Sequence, residues 1–476
     1  MLPMLRTNFP ADATYGPLQT PDNLPRTPAF LTPTVTERMF FRSHALVSHF
    51  VLRVFDGMSK GARPRRQGRP ASGGRRPDEI HDRQAGETIA YRRAYGQYVD
   101  EYLISLKEKT IMTAHRFQKV VGFIETELAA GSFPGAALMA AQHGQRLFAR
   151  YWGTYCSPTQ RANLLDDRVF HMLHSFSKGI SATVIVLAHQ KKLIDYDAPV
   201  HSYIPEYRGA WKDVTTIRHL LTHSAGIPNC LLAGVYTQEE WRKGIASCCA
   251  APVEWKPGSR TEYHPFSGLF LAAEAVRRTM NMAPWEEICH EFLFAPLNAA
   301  SLTFRVPSGP RIALVPQPAD LPCPIDTAHF RGLGNPGAGC FGRLEDMIKV
   351  LELHLNQGMW KGQALIRKEE VEEMHRIQYE EQIAHAVASG SPRVHRPVGL
   401  GWMIKRDLKN DWHGLGQATS PRTFGHTGHD NVHGIGEPDQ QMALAFVMTN
   451  SPNPSGANST RIRNTVTNLV AEAIRE

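Results

Sequence analysis

The stretch Ser175-Phe176-Ser177-Lys178 opens an apolar run that we interpret as a helix. A serine and a lysine three residues apart lie on one face of a helix, about one turn from each other. A serine hydroxyl is a poor nucleophile until a base takes its proton, and a lysine whose pKa is lowered by burial can be that base. Alone the pattern is weak, because it occurs by chance about once in a chain of this length, and a helix-capping serine beside an exposed lysine is the simpler explanation.

Further segments follow this pattern along the chain. They are residues 220–228 (LLTHSAGIP), 257–265 (PGSRTEYHP), 399–402 (GLGW) and 425–428 (GHTG). A Ser-x-x-Lys helix start, a "LLTHTSG"-like segment, a "PG…Y" loop and a His/Lys-Thr-Gly strand in this order resemble the β-lactamase-related serine hydrolases. The similarity is to the class C β-lactamases and the family VIII carboxylesterases, and it covers the chain from about Met112 to the C-terminus. Several motifs in the expected order are far more specific than any one of them.

The resemblance implies an α/β fold of the β-lactamase/transpeptidase type, in which helices flank an antiparallel sheet and an all-helical lobe is inserted. The active site would lie in the cleft between the sheet domain and the lobe. By position, Ser175 would be the nucleophile, Lys178 its proton acceptor and Tyr263 a second general acid/base. The backbone N–H groups of Ser175 and His429 would form the oxyanion hole. The strand residues that would bind substrate are His426, Thr427 and Gly428.

Two departures from the family pattern bear on the substrate. Where lactamases have Tyr-x-Asn, this chain has Tyr263-His264-Pro265, and proline offers no side-chain amide to hold the lysine or a substrate carbonyl. Where lactamases have Lys-Thr-Gly, this chain has His426, and a mostly neutral histidine recognises a substrate carboxylate less well than lysine does. We therefore expect an acyl-enzyme-forming esterase or transesterase that acts on a small ester or thioester, without metal or other cofactor.

Two alternatives stay open at this point. The first is a β-lactamase or D-amino-acid peptidase, which would use the same mechanism on a different substrate. The second is a non-catalytic scaffold that keeps the fold for assembly or partner binding, for which Pro265 is the best support. The intact pair of Ser175 and Lys178 argues against the scaffold.

Patterns at the two ends of the segment from about Met112 to the C-terminus predict one shared sheet. Residues 114–130 have helical periodicity, and 136–142 and 146–155 are interpreted as two strands joined by a tight turn at 143–145. Near the C-terminus, residues 442–448 are predicted as a strand and 459–475 as a helix. The segment between about 190 and 400 is predicted to be mostly helix and loop.

The first 111 residues differ in composition from the rest, and we expect a disordered, basic extension. Seven lysines and arginines and no acidic residue lie between Ser59 and Arg76, which accounts for most of the net charge of +8. Nucleic-acid binding would require interleaved aromatic residues, which this segment lacks, and no apolar stretch is long enough to span a membrane. Translation from Met112 would explain the extension as an artefact. A cytoplasmic location is the default, with a mitochondrial presequence as a weaker alternative.

Other candidate sites are less well supported. Residues 57–61 (GMSKG) match the G-x-S-x-G nucleophile elbow, but no predicted strand precedes them. The spacing of His426, His429 and His433 suggests a metal site, yet no cysteine or carboxylate cluster accompanies them, so a structural role is favoured for the last two. His223 is interpreted as a buried loop histidine. The seven cysteines show no disulfide framework or CxxC pair.

Overall fold

The computed structural model describes residues 115–156, 162–228, 230, 237–307, 311–313, 334–388, 397–406, 414–429, 432–449 and 457–476. The basic extension predicted over residues 1–111, including the GMSKG segment, lies outside these residues. The strands in chain order are β1 (Gly135–Gln142), β2 (Gln145–Cys156), β3 (Ala162–Leu164), β4 (Phe170–Met172), β5 (Ile312–Ala313), β6 (Phe341–Gly342), β7 (Met359–Trp360), β8 (Gln363–Ala364), β9 (Met403–Ile404), β10 (Phe424–Thr427), β11 (Val432–Glu437) and β12 (Met442–Thr449).

The helices alternate irregularly with these strands. In chain order they are α1 (Gln118–Ala129), α2 (Ser177–Gln190), α3 (Ile217–Leu221), α4 (Gln238–Ala250), α5 (Ser267–Thr279), α6 (Trp285–Cys289), α7 (Ala295–Leu297), α8 (Leu344–Leu355), α9 (Lys368–His375), α10 (Glu380–Ala388) and α11 (Ala457–Arg475). A π-helical turn, His290–Phe294, joins α6 to α7. None of the helices in the described ranges combines the length and the apolarity needed to cross a membrane.

The main sheet has the strand order β3-β2-β1-β12-β11-β10-β9, and its neighbouring strands are antiparallel. Its centre pairs β1 with β12, with Gly135 opposite Thr449 and Gln142 opposite Met442. The predicted hairpin and the predicted C-terminal strand therefore share one sheet. The observed bounds of β1, β2, β12 and α11 lie within two residues of those predicted from the sequence.

Helices cover both faces of this sheet, which explains why β1 is apolar along nearly its whole length. Ala136, Leu138 and Ala140 pack into one buried cluster with residues of α1 and α11. The alternate residues Ala137 and Met139 pack into a second cluster with residues of α2 and α8. A strand that is buried on both faces has no solvent-facing positions, so the alternation of apolar and polar residues is lost.

The segment between β3 and β9 contains α2 and α8, which pack on the main sheet, and, between these two helices, the insertion with helices α3 to α7. The segment is mostly helical, as the family resemblance implied, but it also contains two small sheets, with strand orders β5-β4-β6 and β7-β8. A 3₁₀ turn, His174–Phe176, connects β4 to α2. On the insertion side, helix α2 packs against α5 and against the π-helical turn His290–Phe294. This arrangement places the start of α2 where the main sheet and the insertion meet.

Candidate active site

Ser175 lies in the 3₁₀ turn that precedes α2, two residues before the helix itself begins at Ser177. The preceding residue, His174, is buried and has a φ of 45°, in the left-handed region that non-glycine residues rarely occupy. Such backbone strain persists only where the surroundings impose it, and it is frequent at functional sites. The turn leaves the Ser175 side chain half-buried, with its hydroxyl directed at the two groups described next.

Lys178 occupies the first turn of α2, and its side chain is wholly buried. Its Nζ lies 3.0 Å from Ser175 Oγ and donates a 2.7 Å hydrogen bond to the carbonyl of Gly337. Burial lowers the pKa of this ammonium group well below its ordinary value, because the charged form loses its hydration. A neutral amine with one N–H directed to Gly337 keeps a lone pair that can accept the Ser175 proton.

Tyr263 brings a second titratable group to the same hydroxyl. Its Oη lies 2.5 Å from Ser175 Oγ, and its ring centre is 5.0 Å from Lys178 Nζ. The segment that carries it is tied to residues 220–228 by backbone hydrogen bonds from Glu262 to His223 (2.9 Å) and from Gly258 to Ser224 (2.9 Å). Two of the sequence motifs are therefore one structural unit that positions the tyrosine.

Two buried histidines flank this tyrosine. The His223 ring lies 4.8 Å from the Tyr263 ring and 5.0 Å from the His264 ring. Burial lowers the pKa of His264 to about 4, so this imidazole is neutral at neutral pH. His223 lies in a buried loop with a φ of 57°, where the sequence interpretation placed it.

The loop 334–340 contacts Lys178 and the start of α2, and the sequence patterns did not indicate it as part of the site. Gly337 provides the carbonyl that accepts from the lysine, and its own N–H donates to the side chain of Asn335 (2.7 Å). Ser181 of α2 donates to the carbonyl of Pro336, and Ser177 Oγ accepts from the N–H of Cys340. A dense run of glycine, asparagine and proline indicates a loop, but nothing in it indicates which helix the loop contacts.

The same loop packs closely against Pro265. Pro265 stands where the family pattern has asparagine, and its carbonyl oxygen would lie 2.4 Å from a Cβ placed on Gly337. The two backbones can approach this closely only because residue 337 is glycine. The Gly337 carbonyl, and not a side-chain amide at position 265, accepts the hydrogen bond from Lys178 Nζ.

The GLGW segment packs against α2 from the other side. Trp402 is almost fully buried, and a Cβ on Gly179 would lie 2.2 Å from its ring. Gly401, with a φ of 75°, approaches Ala182 just as closely. These contacts restrict the rotation and translation of the helix that carries Lys178.

The end of β10 lies beside the turn that carries Ser175. A Cβ on Gly428 would be 2.7 Å from the Leu173 carbonyl oxygen, and the exposed ring of His429 is 6.3 Å from that of His174. The buried ring of His426 is 6.0 Å from the Tyr263 ring. The structure thus brings the predicted substrate-binding strand and the predicted second oxyanion donor to the neighbourhood of the predicted nucleophile.

The three strand histidines do not converge. His429 is exposed, and His433 is buried on β11 opposite Thr427. Across the described part of the chain, no group of three or more histidine, cysteine or carboxylate side chains has an arrangement that could hold a metal ion.

Comparisons with known proteins give a consistent picture. The chain is 26% identical to the esterase EstB of Burkholderia gladioli over 258 residues, which cover 46% of this chain and 64% of EstB. It is 25% identical to the esterase/beta-lactamase LipL of Mycobacterium tuberculosis over 299 residues, 58% of this chain and 68% of LipL. A solved family VIII carboxylesterase shares the fold, with a TM-score of 0.59 and 21% identity over 75% of this chain and 96% of the other.

The family comparison covers most of the described structure. The profile of the beta-lactamase family matches residues 120–467, a range that begins in α1 and ends in α11. The family and the α/β fold predicted from the motifs are therefore confirmed. By this match over well more than half of its length, the chain belongs to the beta-lactamase family.

Proposed function

We propose that this protein is a serine hydrolase that forms an acyl-enzyme on Ser175 and acts as a carboxylesterase or transesterase on a small ester or thioester. The observation that carries the proposal is the position of one serine hydroxyl, 3.0 Å from a fully buried lysine amine and 2.5 Å from a tyrosine hydroxyl. Acyl transfer requires a nucleophile and a base within hydrogen-bond reach of it, and this site supplies both.

In the proposed mechanism, Ser175 Oγ attacks the carbonyl carbon of the substrate as its proton passes to the Lys178/Tyr263 pair. The negative charge on the carbonyl oxygen is stabilised by the N–H groups of Ser175 and His429. When the tetrahedral intermediate collapses, the bond to the leaving oxygen or sulfur breaks, and that atom takes the proton back from the pair. Water or an alcohol then attacks the acyl-enzyme through the same steps, and Ser175 Oγ recovers its proton.

An ester or thioester is favoured over a β-lactam for two reasons. The strand position that is lysine in lactamases is His426, whose ring is buried and lies 6.0 Å from the Tyr263 ring. In addition, Pro265 offers no side-chain amide to a substrate. The relatives named above include an esterase and an esterase/beta-lactamase, and a further relative, 26% identical over 327 residues, is named acyltransferase mokF of Monascus pilosus.

The test is intact-mass spectrometry after treatment with a fluorophosphonate probe, together with turnover of p-nitrophenyl butyrate and of the β-lactam nitrocefin. We expect one adduct on Ser175, ester turnover, and loss of both in Ser175→Ala. The matched control is Ser177→Ala, which removes a neighbouring buried serine whose Oγ accepts from Cys340. Its adduct should persist.

Other outcomes separate the alternatives. No adduct on folded protein would favour the non-catalytic scaffold. Turnover of nitrocefin in preference to the ester would favour a β-lactamase.

A further inference from the structure

Thr427 and His433 form a cross-strand pair at the edge of the candidate site. They are directly opposite each other on β10 and β11, and Thr427 Oγ lies 3.0 Å from His433 Nδ1. Thr427 is half-buried at the end of its strand, whereas His433 is wholly buried beneath it. The direction of this hydrogen bond determines whether the threonine hydroxyl can donate a proton to a substrate.

The direction of the hydrogen bond between Thr427 and His433 follows from the contacts of the other ring nitrogen, Nε2. His433 Nε2 lies 3.2 Å from Thr467 Oγ1 of α11, and Thr467 Oγ1 donates a 2.9 Å hydrogen bond to the carbonyl of Gly414. A carbonyl oxygen only accepts, and a hydroxyl has a single proton. Thr467 has therefore used its proton on Gly414, and His433 Nε2 must be the donor in the bond to Thr467.

A neutral imidazole has one protonated and one unprotonated nitrogen. Burial, assisted by the positive charge of Arg463, lowers the pKa of His433 to about 3, so the ring stays neutral through the physiological range. Because Nε2 carries the proton, Nδ1 is the acceptor, and the Thr427 hydroxyl donates to it. The order of donation is Thr427 to His433 to Thr467 to Gly414.

We propose that His433 is a specificity-determining positioning residue, which holds the Thr427 hydroxyl proton away from substrate and so makes the site discriminate against acyl substrates that carry a carboxylate. A carboxylate oxygen can only accept hydrogen bonds, so a hydroxyl whose proton is already committed cannot bind it. This inference rests on the proposed function of the site and specifies its substrate class as uncharged esters or thioesters.

A matched pair of substrates tests the proposal directly. They are 3-carboxyphenyl butyrate and 3-(methoxycarbonyl)phenyl butyrate, which have the same acyl group and differ in whether the leaving group carries a carboxylate or its neutral methyl ester. Initial rates of butyrate release are compared, so that cleavage of the methyl ester is not counted. We expect the wild-type protein to prefer the uncharged ester in kcat/KM. In His433→Leu the imidazole that accepts the threonine proton is removed, and the ratio should shift toward the carboxylate by about tenfold, the effect expected of one hydrogen bond to a charged group.

Two further variants separate positioning from simple structural damage. His433→Asn retains an acceptor oxygen near the position of Nδ1 and should keep the wild-type ratio. Thr427→Val, added to His433→Leu, removes the threonine hydroxyl and should abolish the gain for the carboxylate. Loss of structure would lower turnover of both esters alike and leave the ratio unchanged, so an unchanged ratio in folded His433→Leu would overturn the proposal.

A measurement on the wild-type protein keeps the inference testable if the leucine variant does not fold. The ring nitrogens of His433 can be followed by NMR after labelling histidine with ¹⁵N, with assignment by comparison with His433→Asn. We expect protonated Nε2 and unprotonated Nδ1, and the opposite tautomer would contradict the proposal. If neither ester is turned over, the proposed function fails, while the tautomer still decides the hydrogen-bond direction.

A preference of the wild-type protein for the carboxylate ester would also overturn the proposal. It would point instead to Arg463 as the group that attracts the carboxylate. Arg463 is a buried cation on α11, and its guanidinium lies near the Gly414 backbone.

Discussion

The two sides of Ser175 are built on different principles. On one side, α2 and the loop 334–340 surround Lys178, whose amine is wholly buried and contacts one hydroxyl and one carbonyl. On the other side, β10 presents a half-exposed threonine and an exposed histidine at its end. The first side fixes protonation through burial, and the second fixes hydrogen-bond direction through a neutral histidine.

Under the proposed function, this difference separates chemistry from recognition. The proton-accepting side depends on removing water from a group that would otherwise be charged, so small displacements there should be costly. The strand side consists of a half-buried threonine, two buried histidines and one exposed histidine, and its changes should alter which ester is preferred more than how fast it reacts. The three predictions below test that separation, in order of decreasing expected effect.

Lys178→Met should have the largest effect. Loss of a positioned general base should lower kcat/KM for p-nitrophenyl butyrate by about two to four orders of magnitude. The same change should raise stability. The pKa of Lys178 is lowered in the folded protein, so between that lowered pKa and the ordinary value of 10.5 the unfolded chain binds more protons than the folded one. The free energy of unfolding of the wild-type protein should therefore rise with pH through that window. The amount by which Lys178→Met exceeds it should become smaller.

The measurement is denaturant unfolding of both proteins at pH 7 and at pH 10. Lys191→Met, which replaces an exposed lysine immediately after the same helix, serves as the control and should show neither effect. A methionine variant whose stability advantage does not change with pH would contradict the assignment of a neutral, buried lysine.

Gly337→Ala should have an intermediate effect. The added Cβ would lie 2.4 Å from the Pro265 carbonyl oxygen, so the backbone must move and carry with it the carbonyl that orients Lys178. Displacement of a catalytic group by about 1 Å costs roughly a hundredfold in rate, and we expect kcat to fall by ten- to a hundredfold with a smaller change in KM. The control is Gly122→Ala on α1, where the added Cβ meets nothing within 4 Å. Equal kcat values in the two variants would show that the Gly337 carbonyl is dispensable.

His426→Lys should have the smallest effect and should act on the opposite side of the site. A lysine here introduces a positive charge beside Thr427, so turnover of 3-carboxyphenyl butyrate should improve about three- to tenfold relative to its methyl ester. His426→Gln, which is neutral and of similar size, is the matched control and should leave the ratio of the two esters unchanged. A similar shift in both variants would mean that the size of the side chain, and not its charge, controls the preference.

Local patterns explain which parts of the fold were predictable. The hairpin of β1 and β2 and the helix α11 have bounds close to those expected, because the periodicity of apolar residues that identifies a strand or a helix can be recognised within one continuous segment. The predicted start of α2 was less accurate, since Ser175 lies in a 3₁₀ turn and the α-helix begins at Ser177. The short strands β5 to β8 inside the segment predicted to be mostly helix and loop, and β4 before it, have no such pattern, because two or three residues are too few to show a period.

The sequence by itself determined the family, the candidate nucleophile and the lysine one turn away, because these depend on residue types at short, ordered spacings. Only the tertiary structure decided which groups surround them. Tyr263 is 88 positions from Ser175, and the Gly337 carbonyl is 159 positions from Lys178. The hydrogen bonds that link Thr427 to His433 and to α11 also depend on strand register and helix packing. Contacts of this kind leave no periodic trace along the chain, since folding, and not proximity in sequence, brings their partners together.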